Sequence, residues 1–247
     1  MWKESDRKQL QRGKVVSGHQ PNYLPWLGFF DKMLLCDAFI IEDNVQFEEQ
    51  GFQNRTRIKT ANGIRWLTVP IKHAGKALPI NEITIANEAK QDWAKDHWLA
   101  LKFNYCRAPY WKKYSGFFEQ TFSQRWVKLV DLNMHLIEGL MKFLNIEKPL
   151  VMASSLGVSG RKSELVLAQV KALEGATLLS GVGARSYLDV QRFEKEGVRV
   201  VFQDFRYPVY PQFSDEFVPD LSVVDYLFWV GGKPWRSDDM VLKESIS

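Results

Sequence analysis

The fold is decided by the stretch KVVSGHQPNYLPWLGFFDKMLLCDAFIIE, residues 14–42. Residues 14–17 predict a short buried strand, after which Pro21 and Pro25 break regular pairing and predict a loop. Apolar residues at helical spacing over 26–36 predict a helix, and β-branched and aromatic residues over 37–42 predict a second strand. A strand, loop, helix and strand within about thirty residues form a βαβ unit, which favours parallel strands and a right-handed crossover.

The rest of the chain is predicted to add a helical block and a second α/β half. After a polar stretch, residues 43–59, the expected elements are strands at 64–71 and 80–85, helices at 92–103, 110–122 and 126–144, strands at 150–153, 177–179 and 198–202, and helices at 163–173, 191–196 and 221–230. The fold class is therefore α/β, a mainly parallel sheet of βαβ units flanked by helices with a helical block inserted in the middle. We expect one domain over 14–232, composed of 14–87, 88–145 and 146–232, with polar tails at 1–13 and 233–247.

Composition and charge exclude several classes of protein. The chain has 247 residues, 45% hydrophobic and 25% charged, which excludes a disordered or collagen-like chain. The net charge is only +4 and the basic residues are scattered, which argues against nucleic-acid binding. Cys36 and Cys106 are too few for a disulfide scaffold and have no close Cys or His, so no metal site is expected. A charged N-terminus and the lack of a long apolar run predict a cytoplasmic protein without a transmembrane segment.

Aromatic residues make up 13% of the chain and include nine tryptophans. Most of those between residues 90 and 126 are predicted to be helix core. A smaller group lies beside prolines and polar residues and could stack on a sugar or a base: Tyr23, Trp26, Tyr207 and Tyr210. Exposed aromatic residues are equally compatible with a homodimer interface.

The first candidate site is the loop after the first strand. In open parallel sheets, ligands bind outside the carboxyl ends of the strands. This loop carries His19, a candidate general base because an imidazole titrates near neutrality. The neighbouring side chains that would orient a substrate are Gln20, Asn22 and Tyr23. The alternative is a loop whose side chains only satisfy their own backbone groups.

Two glycine-containing loops, residues 154–163 and 180–186, precede helical segments in the second half. Glycines let backbone N–H groups approach an anion, and the adjacent cations could pair with phosphate. Neither loop matches the P-loop or the dinucleotide fingerprint, and plain turns are the alternative. The candidate ligand-binding residues in these loops are Gly160, Arg161, Lys162, Ser180, Gly181, Gly183 and Arg185.

Further candidates come from two polar segments. The run QDFRYPVYPQ, residues 203–212, is stiffened by prolines and offers Tyr207, Tyr210 and Gln212 for stacking and hydrogen bonding. Asp43 is a candidate acid, although the sequence pairs it with nothing. The polar stretch around it adds candidate substrate-binding residues: Gln46, Asn54, Arg55 and Lys59.

Four segments resemble one family. They are residues 19–71, which begin with HQPNYLPWLGF, then GRKSELVLAQVKALEGATLLSGVGARSYLD from 160, FRYPVYPQF from 205 and LSVVDYLFWVGG from 221. Over most of residues 15–232 the chain resembles the WbqC-like family of bacterial proteins. The resemblance implies an enzyme of surface-polysaccharide biosynthesis, of the O-antigen or capsule type. Such an enzyme would modify a nucleotide-linked amino sugar by acyl or aminoacyl transfer.

Three functions stay open at the level of sequence. The first is this transferase, with coenzyme A, an activated amino acid or an ATP-derived adenylate formed with Mg²⁺ as the source of the transferred group. The second is an adenylating or nucleotidyl-transferring enzyme, although His19 has no second histidine at residue 22. The third is a non-catalytic subunit that binds a sugar nucleotide.

Overall fold

The computed structural model describes residues 13–72, 77–88, 91–214 and 216–235. The predicted polar tails fall almost wholly on residues 1–12 and 236–247, which lie outside the described residues. The chain divides into two compact units. The first takes the described residues up to Gln20, together with Gly28–Asn44 and Glu147–Arg206. The second takes Pro21–Leu27, Val45–Ile146 and the described residues from Tyr207 onward.

Strands and helices are mixed along the chain rather than grouped by type. In chain order they are β1 (Val15–His19), α1 (Leu27–Leu34), β2 (Ala38–Ile41), β3 (Arg55–Thr60), β4 (Gly63–Thr68), α2 (Trp93–Tyr105), α3 (Trp111–Ser123), α4 (Leu129–Phe143), β5 (Leu150–Met152), α5 (Ser163–Ala172), β6 (Thr177–Ser180), α6 (Val190–Lys195), β7 (Arg199–Phe202) and α7 (Val223–Val230). None of the helices within the described ranges is long and apolar enough to cross a bilayer.

The first unit is built on a five-stranded parallel sheet in the order β5-β2-β1-β6-β7. Ser17 in the central strand β1 pairs with Phe39 on one side and Leu179 on the other. From β1 the chain adds β2 and β5 on one side of the sheet and then β6 and β7 on the other. The boundary between β1 and β6 is therefore the topological switch point of a doubly wound sheet. Ligands of such sheets bind at the carboxyl ends of the strands beside this point. The predicted parallel βαβ architecture is confirmed.

Apolar side chains cover both faces of this sheet. Helix α1 buries Phe29, Phe30 and Met33, and the Phe29 and Phe39 rings lie 5.4 Å apart. A second apolar cluster joins Val16 to residues of α5 and α6, among them Phe193. Burying each such side chain contributes about 1.5–3 kcal/mol. A strand that is apolar on both faces is what a doubly covered parallel sheet requires.

The second unit contains an antiparallel hairpin of β3 and β4, and here the strand prediction was wrong in two places. Strand β3 lies in the predicted polar stretch because its inward residues, such as Thr56 and Ile58, alternate with Arg55 and Arg57, which hide the apolar period. The strand expected at 80–85 is a short 3-10 turn, Ile80–Glu82, flanked by single bridges.

The helical block α2–α4 of the second unit is confirmed. Asp92 caps α2 by accepting a 3.1 Å hydrogen bond from the Lys95 N–H, as expected of an acidic N-cap residue. The aromatic residues of this block are largely core, since Tyr105, Tyr114 and Phe118 are fully buried. Phe103 departs from that prediction with 75% of its surface exposed.

Candidate functional site

The carboxyl ends of all five strands of the first unit carry polar residues. His19 and Ser180 are the last residues of β1 and β6, and the others follow the ends of β2, β5 and β7: Glu42, Asp43, Ser154 and Gln203. His19, Ser180 and Gly181 are partly exposed, so this edge of the sheet is open to solvent. The polar loops that follow the strands therefore lie along one edge of the sheet.

The side chain of Lys32 in helix α1 extends to this edge of the sheet. Its side chain is buried, with 3% exposed, and Nζ donates a 2.8 Å hydrogen bond to the Gly18 carbonyl of β1. A Cβ atom built on Gly181, the residue after β6, would lie 4.0 Å from the same Nζ. The ammonium therefore sits between the carboxyl ends of β1 and β6, at the switch point. Burial lowers the pKa of Lys32 to about 8, against a smaller opposing effect of Cys36 and Glu42.

His19 shares this side of the sheet. Its Nδ1 lies 3.1 Å from the Gln20 carbonyl, and its ring packs edge-on against Phe29 at 5.2 Å. A carbonyl oxygen only accepts, so Nδ1 carries the proton and Nε2 the lone pair. Burial, and secondarily the charge of Lys32, lower the pKa of His19 to about 3. The imidazole is therefore neutral at physiological pH.

Glu42 lies over the other face of β1. Its Oε2 accepts a 2.9 Å hydrogen bond from Gln169 Nε2 of α5, and a Cβ atom on Gly18 would come within 3.1 Å of its Oε1. Burial raises the pKa of Glu42. The missing side chain of Gly18 is what lets this carboxyl approach the central strand.

Two further polar pairs hold the edge. Asp43 accepts hydrogen bonds from the Ser154 N–H at 2.9 Å and from Ser154 Oγ at 2.6 Å. Gln203 Nε2 donates to Asp31 Oδ2 of α1 at 2.8 Å and to the Gly28 carbonyl at 2.9 Å. These pairs fix the loops after β2, β5 and β7.

The predicted phosphate-binding loops lie at the same edge but are exposed. The side chains of Arg161 and Lys162 lie on the surface, and Lys162 has a φ of +50°, in the left-handed region. Arg185 places its guanidinium 4.9 Å from the ring of Phe202, the β7 residue paired with Ser180. Gly160 and Gly183 belong to these two loops, and a Cβ atom on Gly183 would contact nothing within 4 Å.

The other predicted residues belong to the second unit and form separate groups there. Tyr23 is buried and its hydroxyl lies 2.8 Å from His97 Nδ1, so it ties the loop to α2. Asn22 is buried, and the Trp26 ring stacks on the Tyr207 ring at 5.8 Å. Gln46 forms a β-bridge with Pro79, and Asn54 Nδ2 donates a 2.9 Å hydrogen bond to the Val69 carbonyl. The Arg55 guanidinium lies 4.3 Å from the centre of the Trp66 ring.

Lys59, Tyr210 and Gln212 do come together, around a buried acid. Lys59 Nζ donates to Gln212 Oε1 at 3.2 Å, and Asp225, fully buried, accepts from Tyr105 Oη at 2.8 Å. Burial raises the pKa of Asp225 to about 6, while hydrogen bonds from Tyr105 and Tyr210 act in the opposite direction. Lys59, Tyr210, Gln212 and Asp225 are all buried.

A cleft of about 280 Å³ opens in the second unit between β4 and α2. Its lining includes Arg65, Trp66, Gln91, Asp96 and His97. Charges of both signs face it, so it offers no preference for an anion. No three histidine, cysteine or acidic side chains in the described part of the chain are grouped to hold a metal ion.

Four residues at this edge were not predicted from the sequence: Lys32, Glu42, Gln169 and Gln203. A signal for Lys32 existed, because Asp31 and Lys32 are adjacent charges in an otherwise apolar helix, LGFFDKML. Both prove buried. Gln169 and Gln203 carried no local signal, since their partners are more than a hundred residues away along the chain.

Comparison with known proteins gives two matches. The sequence model of the WbqC-like protein family matches residues 20–236. A protein of Mycobacterium tuberculosis (strain ATCC 25618 / H37Rv), named "Uncharacterized protein Rv1507c", is 32% identical over 222 residues, covering 89% of this chain and 95% of the relative. No solved structure matches the chain.

Proposed function

The chain belongs to the WbqC-like protein family, and from that premise we propose that it transfers an acyl or aminoacyl group to the amine of a nucleotide-linked amino sugar. The observation that carries the proposal is the polar edge at the switch point, where a neutral His19 and a buried Lys32 lie at the end of β1. The resemblance to proteins of surface-polysaccharide biosynthesis supplies the substrate class.

His19 is the proposed general base. The sugar amine attacks the acyl carbonyl, a C–N bond forms, the bond to the donor's leaving group breaks, and the amine proton passes to Nε2 of His19. Its pKa of about 3 makes the free imidazole a weak base. An anionic substrate bound nearby would raise that pKa, because it offsets the charge of Lys32.

The exposed glycine loops are proposed to hold the nucleotide part of the substrate. Arg185, beside the ends of β6 and β7, would pair with phosphate oxygens, with Ser180 and Gly181 as neighbours. The donor is coenzyme A-linked, an activated amino acid or an ATP-derived adenylate. The cytoplasm is the proposed compartment, consistent with the free thiols of Cys36 and Cys106.

The test is amide formation from nucleotide-linked amino sugars and acyl or aminoacyl donors, followed by mass spectrometry. Ligands are selected first by thermal stability, because a ligand at a hundred times its Kd stabilises the fold by about 2.7 kcal/mol. We expect His19→Gln to lower kcat by about a hundredfold or more with little change in KM. His135→Gln, in helix α4 of the second unit, is the matched control and should leave turnover unchanged. Equal turnover by wild type and His19→Gln would remove His19 as the base.

A further inference from the structure

We propose that Lys32 is the anion-binding residue of the switch-point site and binds a phosphate group of the nucleotide-linked substrate. The identity of the phosphate-bearing ligand rests on the proposed function. The site itself rests on the geometry of the first unit. Lys32 was not among the residues that the sequence singled out, and the cations expected to bind phosphate there, Arg161 and Lys162, are exposed surface side chains.

Lys32 lies where ligands of this kind of sheet bind. Lys32 Nζ is held by the Gly18 carbonyl of β1 and faces Gly181 after β6. In doubly wound sheets this crevice between the two central strands is where ligands bind. Gly181 has no side chain, so the space beside the ammonium on the β6 side is one that a larger residue would fill.

The hydrogen bonding of the Lys32 ammonium is incomplete. An ammonium has three N–H donors, and within the described residues only the bond to Gly18 is present and no carboxylate forms an ion pair with Lys32. Two donors of a buried cation are therefore left for another partner. Buried donors left unpaired are uncommon and call for an explanation.

The charge of Lys32 is not paired with a carboxylate among the described residues. Glu42 is the nearby acid, but its carboxyl accepts a hydrogen bond from Gln169 and its pKa is raised by burial. A bound anion would supply the missing counter-charge. Arg185 at the ends of β6 and β7 adds a second cation at the same edge. Two cations about one strand end suit a diphosphate better than a single carboxylate.

The experiment is calorimetric titration of the full chain with inorganic pyrophosphate and with UDP. Wild type should bind both, and Lys32→Met should weaken binding of both by about tenfold or more, since charge-assisted hydrogen bonds are lost. The control is Lys195→Met, which removes the same charge from the exposed end of α6 and should bind like wild type. Melting curves without ligand establish that each variant is folded.

A second variant keeps the proposal testable if Lys32→Met does not fold. Gly181 has an extended backbone with φ −73°, which a β-branched residue adopts without strain, so Gly181→Val should fold and fill the space beside Nζ. It should weaken pyrophosphate binding by about tenfold or more. Pyrophosphate and UDP affinities that match wild type in folded Lys32→Met or Gly181→Val would overturn the proposal, as would no binding to wild type.

Titrating wild type and Lys32→Met with nucleotide sugars as well separates this site from the proposed function. Pyrophosphate binding that depends on Lys32, with no binding of any nucleotide sugar, would leave the anion site standing and remove the proposed substrate class. Nucleotide sugars that bind wild type and Lys32→Met equally would leave the substrate class standing and overturn the role of Lys32.

Discussion

Asp43 holds both the backbone and the side chain of Ser154, through hydrogen bonds of 2.9 Å to the N–H and 2.6 Å to Oγ. Asp43 follows β2 and Ser154 follows β5, and these two strands pair in parallel although more than a hundred residues separate them. The carboxylate therefore ties the two loops where the chain leaves the first unit and where it returns.

The first prediction concerns this pair. Asp43→Ala should lower the free energy of unfolding by about 2–3 kcal/mol, because it removes two hydrogen bonds to a buried carboxylate. Ser154→Ala removes only the hydroxyl bond and should lower it by about 1 kcal/mol. Urea denaturation measures both. A loss for Ser154→Ala as large as that for Asp43→Ala would mean that the backbone bond contributes nothing.

The architecture of the first unit could be predicted because its signals are local. The buried run at residues 38–41 is recognisable from its apolar pattern alone. The loop after β1 is recognisable from its prolines, which restrict the backbone of their neighbours. Strand β3 of the hairpin was not predicted, because the charged residue Lys59 occupies a buried position in it. Its burial depends on Gln212, far along the chain.

The candidate site could be predicted only in part, for the same reason. His19 and Gly181 were recognisable, since each follows a strand and sits in a loop of unusual composition. Lys32 was not predicted to be buried, because a lysine on a helix normally faces solvent, although its place in the otherwise apolar run LGFFDKML was a local signal. The partner of its Nζ, the Gly18 carbonyl, is apparent only from the structure.

The second prediction concerns Asp225 in the second unit. The folded pKa of about 6 lies above the ordinary value of 3.8, so the folded state binds this proton more tightly than the unfolded state does. Ionisation of Asp225 therefore lowers stability as pH rises from about 3.8 to 6, and the full loss is present above 6. Asp225→Asn removes this loss.

The measurement is the free energy of unfolding of both proteins between pH 3.5 and about 7.5. Relative to wild type, Asp225→Asn should gain about 3 kcal/mol over that range, the equivalent of about two pKa units. Tyr105→Phe removes a donor that lowers the pKa of Asp225, so it should move the midpoint of the pH dependence upward. A pH-independent difference between wild type and Asp225→Asn would contradict the account.

The third prediction compares two glycines of the second unit. Gly231, after α7, has φ +83°, and a Cβ atom there would lie 2.8 Å from the Tyr110 ring. Gly231→Ala should therefore lower the free energy of unfolding by about 2–4 kcal/mol, from backbone strain and overpacking. Gly116 lies exposed within helix α3, with nothing within 4 Å of such a Cβ atom. Gly116→Ala should instead raise stability by about 0.5–1 kcal/mol. Thermal unfolding of the two variants measures both changes in stability. Two changes of the same sign would contradict the prediction.

The last prediction separates a binding role of Lys32 from a structural one. Burial lowers its pKa from 10.5 to about 8, so the folded state holds this proton less tightly than the unfolded state. The resulting loss of stability, about 3 kcal/mol, is present below pH 8 and disappears as pH rises from 8 to 10.5.

Lys32→Met removes that loss and gives up one hydrogen bond to Gly18, worth about 1–2 kcal/mol. The variant should therefore be at least as stable as wild type at pH 7, and its advantage should vanish near pH 10. A variant at least as stable as wild type would mean that Lys32 does not stabilise the fold, which favours a binding role, whereas a variant less stable than wild type at pH 7 would make Lys32 a structural link between α1 and β1.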